Sequence, residues 1–370
     1  MIYIHVPFCH RKCTYCAFYS KPVVSGRWPV VSYVDALLAE MEDRRNEQAH
    51  PIRTVYFGGG TPSILPIEQL ARIVEGLHSH FDLSNLEEMT IEANPEDLSP
   101  EYLSEIRKMG FNRLSIGIQS LDDDMLRLLN RRHTAQQAIE AVENANAAGF
   151  DNISVDFIYG LPNIFQFSSF NFQLVTHISA YALTVEPGTA LAKQVEQGRV
   201  VLPDEDEVVR QYYDLHRQFE TYGFRQYEVS NYARPGYESK HNSRYWDRTP
   251  YLGLGPAAHS FDGTRRKWTV SDVEKYISGY SQKSAGFGNN GLYGYEYLTP
   301  VDSYNELLMT ALRTTRGLPV TDMPELQRKK MQPYIDCGWI VVKDNHFCPT
   351  VEGLVHADGI AAELFVTNNS

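Results

Sequence analysis

The sequence predicts an α/β fold built on a parallel sheet, and three observations support this prediction. Short β-branched and aromatic runs alternate with segments of helical period as far as Pro187. The helical segments are long enough to connect neighbouring strands that run in the same direction. Several helices also have clear ends, because Ser99 and Pro100 form a start signal and Gly110 and Gly149 stand where helices stop.

The predicted elements follow in chain order. Six strands are expected at Ile2–Val6, Thr54–Phe57, Met89–Ala93, Arg113–Ile118, Ile153–Ile158 and Ile178–Val185. The helices between them are expected at Tyr33–Gln48, Ile67–His80, Pro100–Met109, Asp123–Asn130 and Thr134–Ala148. Six units are fewer than the eight of a full barrel, so the sheet is either open and doubly wound or a partial barrel. In both cases ligands bind at the carboxyl ends of the strands.

The pattern changes after Pro187. An acidic helix is predicted at Asp204–Tyr222, a short strand at Gln226–Ser230, and a linker or loop at Ser284–Tyr297. Helices at Ser303–Thr314 and Met323–Gln332, strands at Trp339–Val342 and His346–Cys348, and a last helix at Gly359–Phe365 resemble a winged-helix module of α+β type. We therefore predict three units: a barrel over residues 1–222, an extension over 223–300, and the carboxy-terminal module over 301–370.

Charge and cysteine content exclude several classes of protein. The 34 basic and 46 acidic residues give a net charge of −12, which disfavours nucleic-acid binding and hence a winged-helix regulator with a redox-sensing cluster. Five cysteines in 370 residues are too few for a disulfide scaffold and predict a cytoplasmic location. The uncharged stretch Phe157–Val185 contains polar residues together with Gly160 and Pro162, so we interpret it as a buried strand and connection, not a membrane span.

Three cysteines crowd together directly after the first predicted strand. Cys9, Cys13 and Cys16 supply three thiolates from one loop, whereas structural zinc sites use four ligands. Three thiolates on a [4Fe-4S] cluster leave one iron open to a small molecule. A zinc site completed by His5 or His10, or cysteines without a metal, are the alternatives.

A glycine turn, Gly58-Gly59-Gly60-Thr61-Pro62-Ser63, ends the second predicted strand. The turn lacks the lysine of a phosphate-binding loop, and glycine turns alone are common. Its place at the same sheet edge as the cysteine loop is informative, because a backbone without Cβ atoms can approach a ligand closely.

Together these motifs resemble the radical S-adenosylmethionine (SAM) superfamily. The resemblance covers nearly the whole chain. Tyr3–Cys9, Glu92–Pro95, Ser115–Ser120 and Asp156–Pro162 are similar to the group that contains oxygen-independent coproporphyrinogen dehydrogenases and heme chaperones. This resemblance implies a partial (β/α)6 barrel with a [4Fe-4S] cluster, whose open iron binds SAM.

The resemblance also implies roles for individual residues. Cys9, Cys13 and Cys16 would bind the cluster. The SAM site would be formed by Tyr3, Tyr15, Gly59, Gly60, Thr61, Glu92, Gln119, Arg131 and Asp156. Polar side chains at strand ends suit a zwitterionic, ribose-bearing ligand, because buried polar atoms must be paired. Ordinary capping or ion pairing is the alternative for each of these side chains.

Three features separate the subfamilies. The dehydrogenases carry a fourth cysteine two positions after the third, where this chain has Phe18, and an extension before the first strand, whereas Tyr3 is nearly the first residue here. The run His241-Asn242-Ser243-Arg244-Tyr245-Trp246 resembles the HNxxYW signature of the heme chaperones. Histidine can ligate iron, and Tyr and Trp offer flat apolar surfaces to a porphyrin, so His241, Asn242, Tyr245 and Trp246 are candidate heme contacts. Simple packing of His241 is the alternative.

The sequence therefore predicts a heme chaperone with a [4Fe-4S] cluster, SAM and heme. Such a protein would pass heme to an acceptor protein of unknown identity. The acceptor could be a membrane-associated protein. The alternative is an enzyme that oxidatively decarboxylates coproporphyrinogen III in porphyrin biosynthesis. The shortened segment Asn163–Thr176, rich in Phe and Ser, predicts an irregular connection in place of a helix.

Overall fold

The computed structural model describes residues 1–22, 30–47, 51–162, 167–281 and 291–367. Its strands are β1 (Ile2–Val6), β2 (Phe8–Cys9), β3 (Lys21–Pro22), β4 (Thr54–Gly59), β5 (Glu88–Ala93), β6 (Arg113–Gln119), β7 (Ile153–Tyr159), β8 (His177–Ala182), β9 (Arg225–Gln226), β10 (Asn231–Ala233), β11 (Leu252–Leu254), β12 (His259–Phe261), β13 (Arg265–Thr269), β14 (Tyr293–Tyr297), β15 (Leu318–Pro319), β16 (Ile340–Lys343) and β17 (His346–Pro349).

Its α-helices are α1 (Val30–Arg44), α2 (Ile67–His80), α3 (Pro100–Lys108), α4 (Asp123–Leu128), α5 (Ala135–Ala147), α6 (Ala190–Glu196), α7 (Glu205–Thr221), α8 (Lys240–Trp246), α9 (Val273–Ser281), α10 (Pro300–Ala311), α11 (Glu325–Asp336), α12 (Val351–Val355) and α13 (Ala357–Leu364). Short 3₁₀ turns include Pro62–Ile64 after β4 and Phe172–Leu174 before β8. Among the helices described, none is long and apolar enough to cross a lipid bilayer.

The main sheet has the strand order β11-β1-β4-β5-β6-β7-β8-β10-β9. From β1 to β8 every pair is parallel, and the spatial order follows the chain order. A doubly wound sheet would reverse its order at a switch point. The α/β prediction is confirmed, and the unreversed order favours the partial (β/α)6 barrel over the open alternative.

The sheet extends beyond the six predicted strands at both edges. β11 adds a parallel strand beside β1, and β10 pairs antiparallel with β8. The prediction of one strand at Gln226–Ser230 was wrong, because β9 and β10 flank a turn there. Within that turn the Val229 N–H donates to the Arg313 carbonyl of the carboxy-terminal module at 2.9 Å.

Alternation along each strand separates an apolar outer face from a polar interior. In β6, Leu114, Ile116 and Ile118 are fully buried in the main core. Arg113 and Gln119, at the two ends of the same strand, line the cavity inside the barrel. Successive side chains of a strand point to opposite faces, so one strand builds both the core and the site.

Helix α1 is joined to the region after residue 250 by a buried ion pair. Arg44 donates from Nη1 to Glu40 Oε1 at 2.9 Å and to the Gly253 carbonyl at 2.7 Å. Glu40 Oε2 in turn accepts from the Gly255 N–H and from the Tyr276 hydroxyl, each at 2.7 Å. Arg44 and Glu40 are 1% and 0% exposed, so water cannot replace these bonds.

Helix α8 closes the barrel at the amino ends of the strands. Glu88, the first residue of β5, accepts the backbone N–H groups of Lys240 and His241 at 2.9 and 2.8 Å. Thr54, the first residue of β4, forms a hydrogen bond with His241 Nδ1 at 2.9 Å. The helix that carries the HNxxYW sequence is therefore the floor of the barrel.

The carboxy-terminal module has its own apolar core and a three-stranded sheet of order β15-β17-β16. Its two longer helices, α10 and α11, precede the β16–β17 hairpin, as the sequence predicts. The division of the chain at residues 222 and 300 stays a prediction.

The sequence predicts two irregular segments, Ser284–Tyr297 and Asn163–Thr176. The linker prediction for Ser284–Tyr297 was wrong for Tyr293–Tyr297, which forms β14 and pairs antiparallel with β13. The cations of β13 pack on the tyrosine rings of β14, as Lys267 does on Tyr293 at 4.0 Å. In the other segment, residues 167–176 contain turns and one 3₁₀ turn. Residues 163–166 and 284–290 lie outside the described residues.

Candidate functional site

A cavity of about 650 Å³ lies inside the barrel, between the cysteine loop and α8. Most of the predicted cofactor residues line it: Cys9, Cys13, Tyr15, Cys16, Gly59, Gly60, Thr61, Glu92, Gln119, Arg131 and Asp156. Asn242, a predicted heme contact, also lines it. Residues from the cysteine loop to α8, far apart in the sequence, thus share one space.

The cysteine loop is anchored through Thr14, a buried residue between the cysteines. The Thr14 hydroxyl donates to the Leu128 carbonyl at 2.9 Å, and its backbone N–H donates to the Leu129 carbonyl at 3.2 Å. Asn130 adds a bond from Nδ2 to the Lys12 carbonyl at 2.8 Å. The end of α4 therefore fixes the position of the loop.

All three sulfur atoms have hydrogen-bond donors nearby, the one at Cys16 being the backbone N–H of Phe18. Thr61 Oγ1 lies 3.5 Å from Cys9 Sγ, and Arg131 Nη1 lies 3.5 Å from Cys13 Sγ. Burial raises the pKa of the Cys9 and Cys16 thiols, so metal binding must release their protons. Such donors favour the thiolate form that iron binds.

The donor set fits a multinuclear cluster. In the described ranges, no group of three or more His, Cys, Asp or Glu side chains is placed to hold a single metal ion. His5, one candidate zinc ligand, has its Nε2 3.1 Å from the Tyr19 carbonyl and its Nδ1 3.2 Å from the Tyr3 hydroxyl. His10 faces Asp97 with Nε2 3.9 Å from Oδ1. Three thiols on one cavity wall suit a cluster in which each sulfur binds a different iron.

The glycine turn requires glycine for reasons of packing. Gly59 has φ of +112°, and a Cβ atom there would lie 2.7 Å from the His5 ring. At Gly60 a Cβ atom would lie 2.5 Å from the Phe8 carbonyl oxygen, while its N–H donates to the Val6 carbonyl at 2.8 Å. The turn is therefore pressed against the strand that leads into the cysteine loop.

Glu92 and Asp156 bring two carboxylates into the cavity. Glu92 accepts from the Tyr56 hydroxyl at 2.8 Å and from the Gly59 N–H at 3.2 Å. Burial raises the pKa of Glu92 to about 7, although the Tyr56 bond offsets part of the shift. Burial also raises the pKa of Asp156, which the Ser115 hydroxyl approaches at 3.4 Å. Both carboxylates can accept hydrogen bonds from a cationic ligand.

We expect Glu92→Gln to stabilise the ligand-free protein at pH 8 by about 1 to 3 kcal/mol. A carboxyl group whose pKa is raised in the folded state stabilises the fold below its unfolded pKa of 4.5, and this contribution is lost as pH rises through about 7. Glutamine stays neutral and can keep the Tyr56 bond. Urea unfolding from pH 4.5 to 8 measures the effect. A variant that followed the wild-type pH dependence would contradict this origin of the shift.

Gln119 and Arg131 come together at the end of β6. The β6–β7 register shifts between Ile116 and Gln119, and Gln119 has φ of +69°, a conformation uncommon for this residue. Arg131 donates from Nη2 to Asn94 Oδ1 at 2.6 Å and to the Gly117 carbonyl at 2.5 Å. Strained backbone of this kind is often found at functional sites.

Four predicted site residues do not line the cavity. Tyr3 lies behind Tyr56, with ring centroids 6.2 Å apart and planes inclined by 22°. His241 is fully buried, and its Nε2 lies 3.1 Å from the Tyr245 hydroxyl. The Tyr245 ring contacts Tyr251 edge-on at 4.8 Å. Trp246, at the end of α8, is only partly buried.

Several polar residues of the site are not among those predicted from the sequence, including Tyr56, Asn94 and Arg113. Tyr56 and Arg113 line the cavity from alternate positions of their strands. Period-two alternation of polar and apolar residues in β6 could have identified Arg113. Asn94 lies in the Glu92–Pro95 motif, although its bond to Arg131 depends on tertiary structure.

Comparisons with known proteins support the same interpretation. The sequence profile of the radical SAM superfamily matches residues 3–165, and membership in that superfamily implies a [4Fe-4S] cluster and SAM as cofactors. A protein named heme chaperone HemW from Mycobacterium tuberculosis is 35% identical over 98% of this chain and 94% of its own length. A Bacillus subtilis protein of the same name is 35% identical over 85% of this chain and 84% of its own length.

Among solved structures, coproporphyrinogen III oxidase (HemN) from Escherichia coli, a radical SAM enzyme, has the same fold. Its TM-score is 0.82 at 22% identity, over 99% of this chain and 89% of that one. The parallel partial barrel, the three-cysteine loop and the full-length identity to the curated relatives agree. This chain therefore belongs to the heme chaperone HemW family of the radical SAM superfamily.

Proposed function

We propose that this protein binds a [4Fe-4S] cluster, SAM and heme, and passes the heme to an acceptor protein. One observation carries the proposal: three thiols and the polar groups suited to SAM line a single cavity in a chain of the HemW family. The relatives' name supports heme as the cargo.

In this proposal Cys9, Cys13 and Cys16 hold the cluster, which supplies an open iron for the SAM amino and carboxylate groups. Thr61 and Arg131 hold the Cys9 and Cys13 sulfurs through the bonds described above. Glu92, Gln119 and Asp156 provide acceptors for the nucleoside and the amino group. Tyr15, packed beside Leu129 and Ile158, forms an apolar part of the wall.

His241 is the proposed heme ligand, and the groups around its ring determine what must change before heme iron can bind to it. Burial, followed by nearby positive charges, lowers the pKa of His241 to about 3, so the ring is neutral, as iron ligation needs. Both ring nitrogens are engaged, with Thr54 and Tyr245. A heme iron can reach Nε2 only after the Tyr245 hydroxyl has moved away.

Hemin titration of the cluster-loaded protein tests this assignment. His241→Ala is expected to abolish tight hemin binding. Tyr245→Phe is expected to strengthen it roughly fivefold, because no hydrogen bond to Nε2 has to be broken and a typical bond is worth about 1 kcal/mol. The Soret band reports both affinities.

Thr54→Val is the matched control, because it removes the Nδ1 partner and leaves Nε2 unchanged. Equal hemin affinities in the wild type and His241→Ala would refute iron ligation by this residue. Conversion of coproporphyrinogen III by the reconstituted protein would instead support the dehydrogenase and contradict a pure chaperone.

A further inference from the structure

Arg113 is a buried cation inside the barrel, and it forms no ion pair with any of the residues that the structure describes. The residue is 1% exposed, yet it lines the cavity. Its Nε is buried without a hydrogen-bond partner. Within the described ranges no ion pair of 4.0 Å or less involves its guanidinium. An unpaired buried charge is costly, so a group that accepts hydrogen bonds from Arg113 is expected.

The nearest acids are held elsewhere. Arg113 is close enough to Glu92 and Asp156 to affect their ionisation. Glu92 nevertheless bonds to Tyr56 and Gly59, and Asp156 faces Ser115. The guanidinium donors therefore stay available to a ligand in the cavity. A guanidinium matches a carboxylate best, because two parallel N–H groups meet its two oxygens.

A second polar group faces the same space from α8. Asn242 lines the cavity, and its backbone N–H is capped by the Ser239 hydroxyl at 3.2 Å. Its side-chain amide makes no hydrogen bond within the described part of the chain. The charge of Arg113 acts on the neighbouring His241, which places the guanidinium close to this helix. An amide N–H beside a guanidinium adds a donor for the same anion.

We propose that Arg113 and Asn242 form a carboxylate-binding subsite at the floor of the cavity. The inference rests on the proposed function, because that function supplies a ligand with free carboxylates: heme, through its two propionates. The carboxylate of SAM is assigned to the open iron in that function. The subsite would therefore hold the propionate end of the heme deep in the barrel. Asn242 of the HNxxYW sequence would then contact the ligand directly from the floor.

Paired ligands with and without the carboxylate test the subsite on cluster-loaded protein. Hemin is compared with hemin dimethyl ester by Soret titration, and SAM binding is measured by equilibrium dialysis. Arg113→Gln is expected to weaken hemin binding roughly tenfold to a hundredfold and to leave the binding of the dimethyl ester unchanged. The SAM affinity is expected to stay at the wild-type value, because the SAM carboxylate is assigned to the open iron.

Two further variants distinguish a specific loss of ligand binding from a loss caused by unfolding. Arg113→Lys keeps the charge and is expected to restore part of the affinity. Asn242→Asp, at a less buried position, adds a negative charge and is expected to weaken hemin binding relative to that of the dimethyl ester. Circular dichroism and cluster absorbance establish that each variant is folded and loaded.

The outcomes separate the two proposals. If the wild type binds SAM and hemin but Arg113→Gln does not weaken hemin binding, or weakens the binding of hemin and of its dimethyl ester equally, the subsite is wrong and the proposed function stands. If the folded, loaded wild type binds neither ligand, the proposed function itself fails, and the subsite fails with it.

Discussion

Replacement of Cys13 by Ala is expected to abolish the [4Fe-4S] cluster while the fold persists. Each of the three cysteines would bind a different iron, and no fourth cysteine lies near them, since Cys337 and Cys348 belong to the carboxy-terminal module. Iron and acid-labile sulfide contents after anaerobic reconstitution measure the loss. Circular dichroism is expected to be unchanged, because the loop is held by Thr14 and Asn130 and not by its sulfurs.

Cys337→Ala is the matched control. Cys337 is exposed at the end of α11, and its removal is expected to leave iron and sulfide at wild-type values. A Cys13→Ala protein with full iron and sulfide would show that the cluster is held elsewhere. A wild type that bound zinc without sulfide would contradict the cluster itself.

Replacement of Arg44 by Ala is expected to reduce the free energy of unfolding by about 3 to 5 kcal/mol. The change leaves Glu40 buried as an unpaired charge and removes donors to the Gly253 carbonyl and to Ser260 Oγ, the latter bond being 2.9 Å long. These bonds join α1 to β11 and β12, so without them the edge of the main sheet is no longer hydrogen-bonded to α1 through Arg44. Denaturant unfolding of the ligand-free protein measures the effect.

The exposed pair Arg217–Asp214 on α7 provides the comparison. Arg217→Ala is expected to cost less than about 1 kcal/mol, because exposed ion pairs contribute little. Combining Glu40→Gln with Arg44→Met is expected to recover part of the stability, because no unpaired charge is then buried. Equal losses for Arg44→Ala and Arg217→Ala would show that the buried network does not hold the sheet edge.

The parallel core of the fold could be predicted because each of its strands carries a local signal. Continuous or alternating apolar runs marked β1 and β4 to β8, and capping residues marked helices such as α3. The strands at the sheet edges could not be predicted in the same way. β9, β10 and β11 are two or three residues long, and β14 is rich in Tyr and Gly, so these strands depend on neighbours distant in sequence.

The cavity wall was predicted more successfully than its floor. The cysteine loop, the glycine turn and the strand-end residues face the cavity because parallel strands bring their carboxyl ends to one edge. The position of α8 depends on Glu88 and Thr54, which carry no signal for a helix some 150 residues later. A lone histidine in a motif therefore could not be recognised as buried from the sequence.

Helix α8 makes the barrel a blind-ended compartment, and this has a consequence for the order of events. Since α8 covers the floor in the described part of the chain, a molecule that reaches Arg113 would enter and leave past the cysteine loop at the opposite end. The ligand that binds closest to the floor would then have to bind first and dissociate last. If SAM binds between the floor and the entrance, it would block the exit. A ligand bound at the floor could then dissociate only after SAM has dissociated.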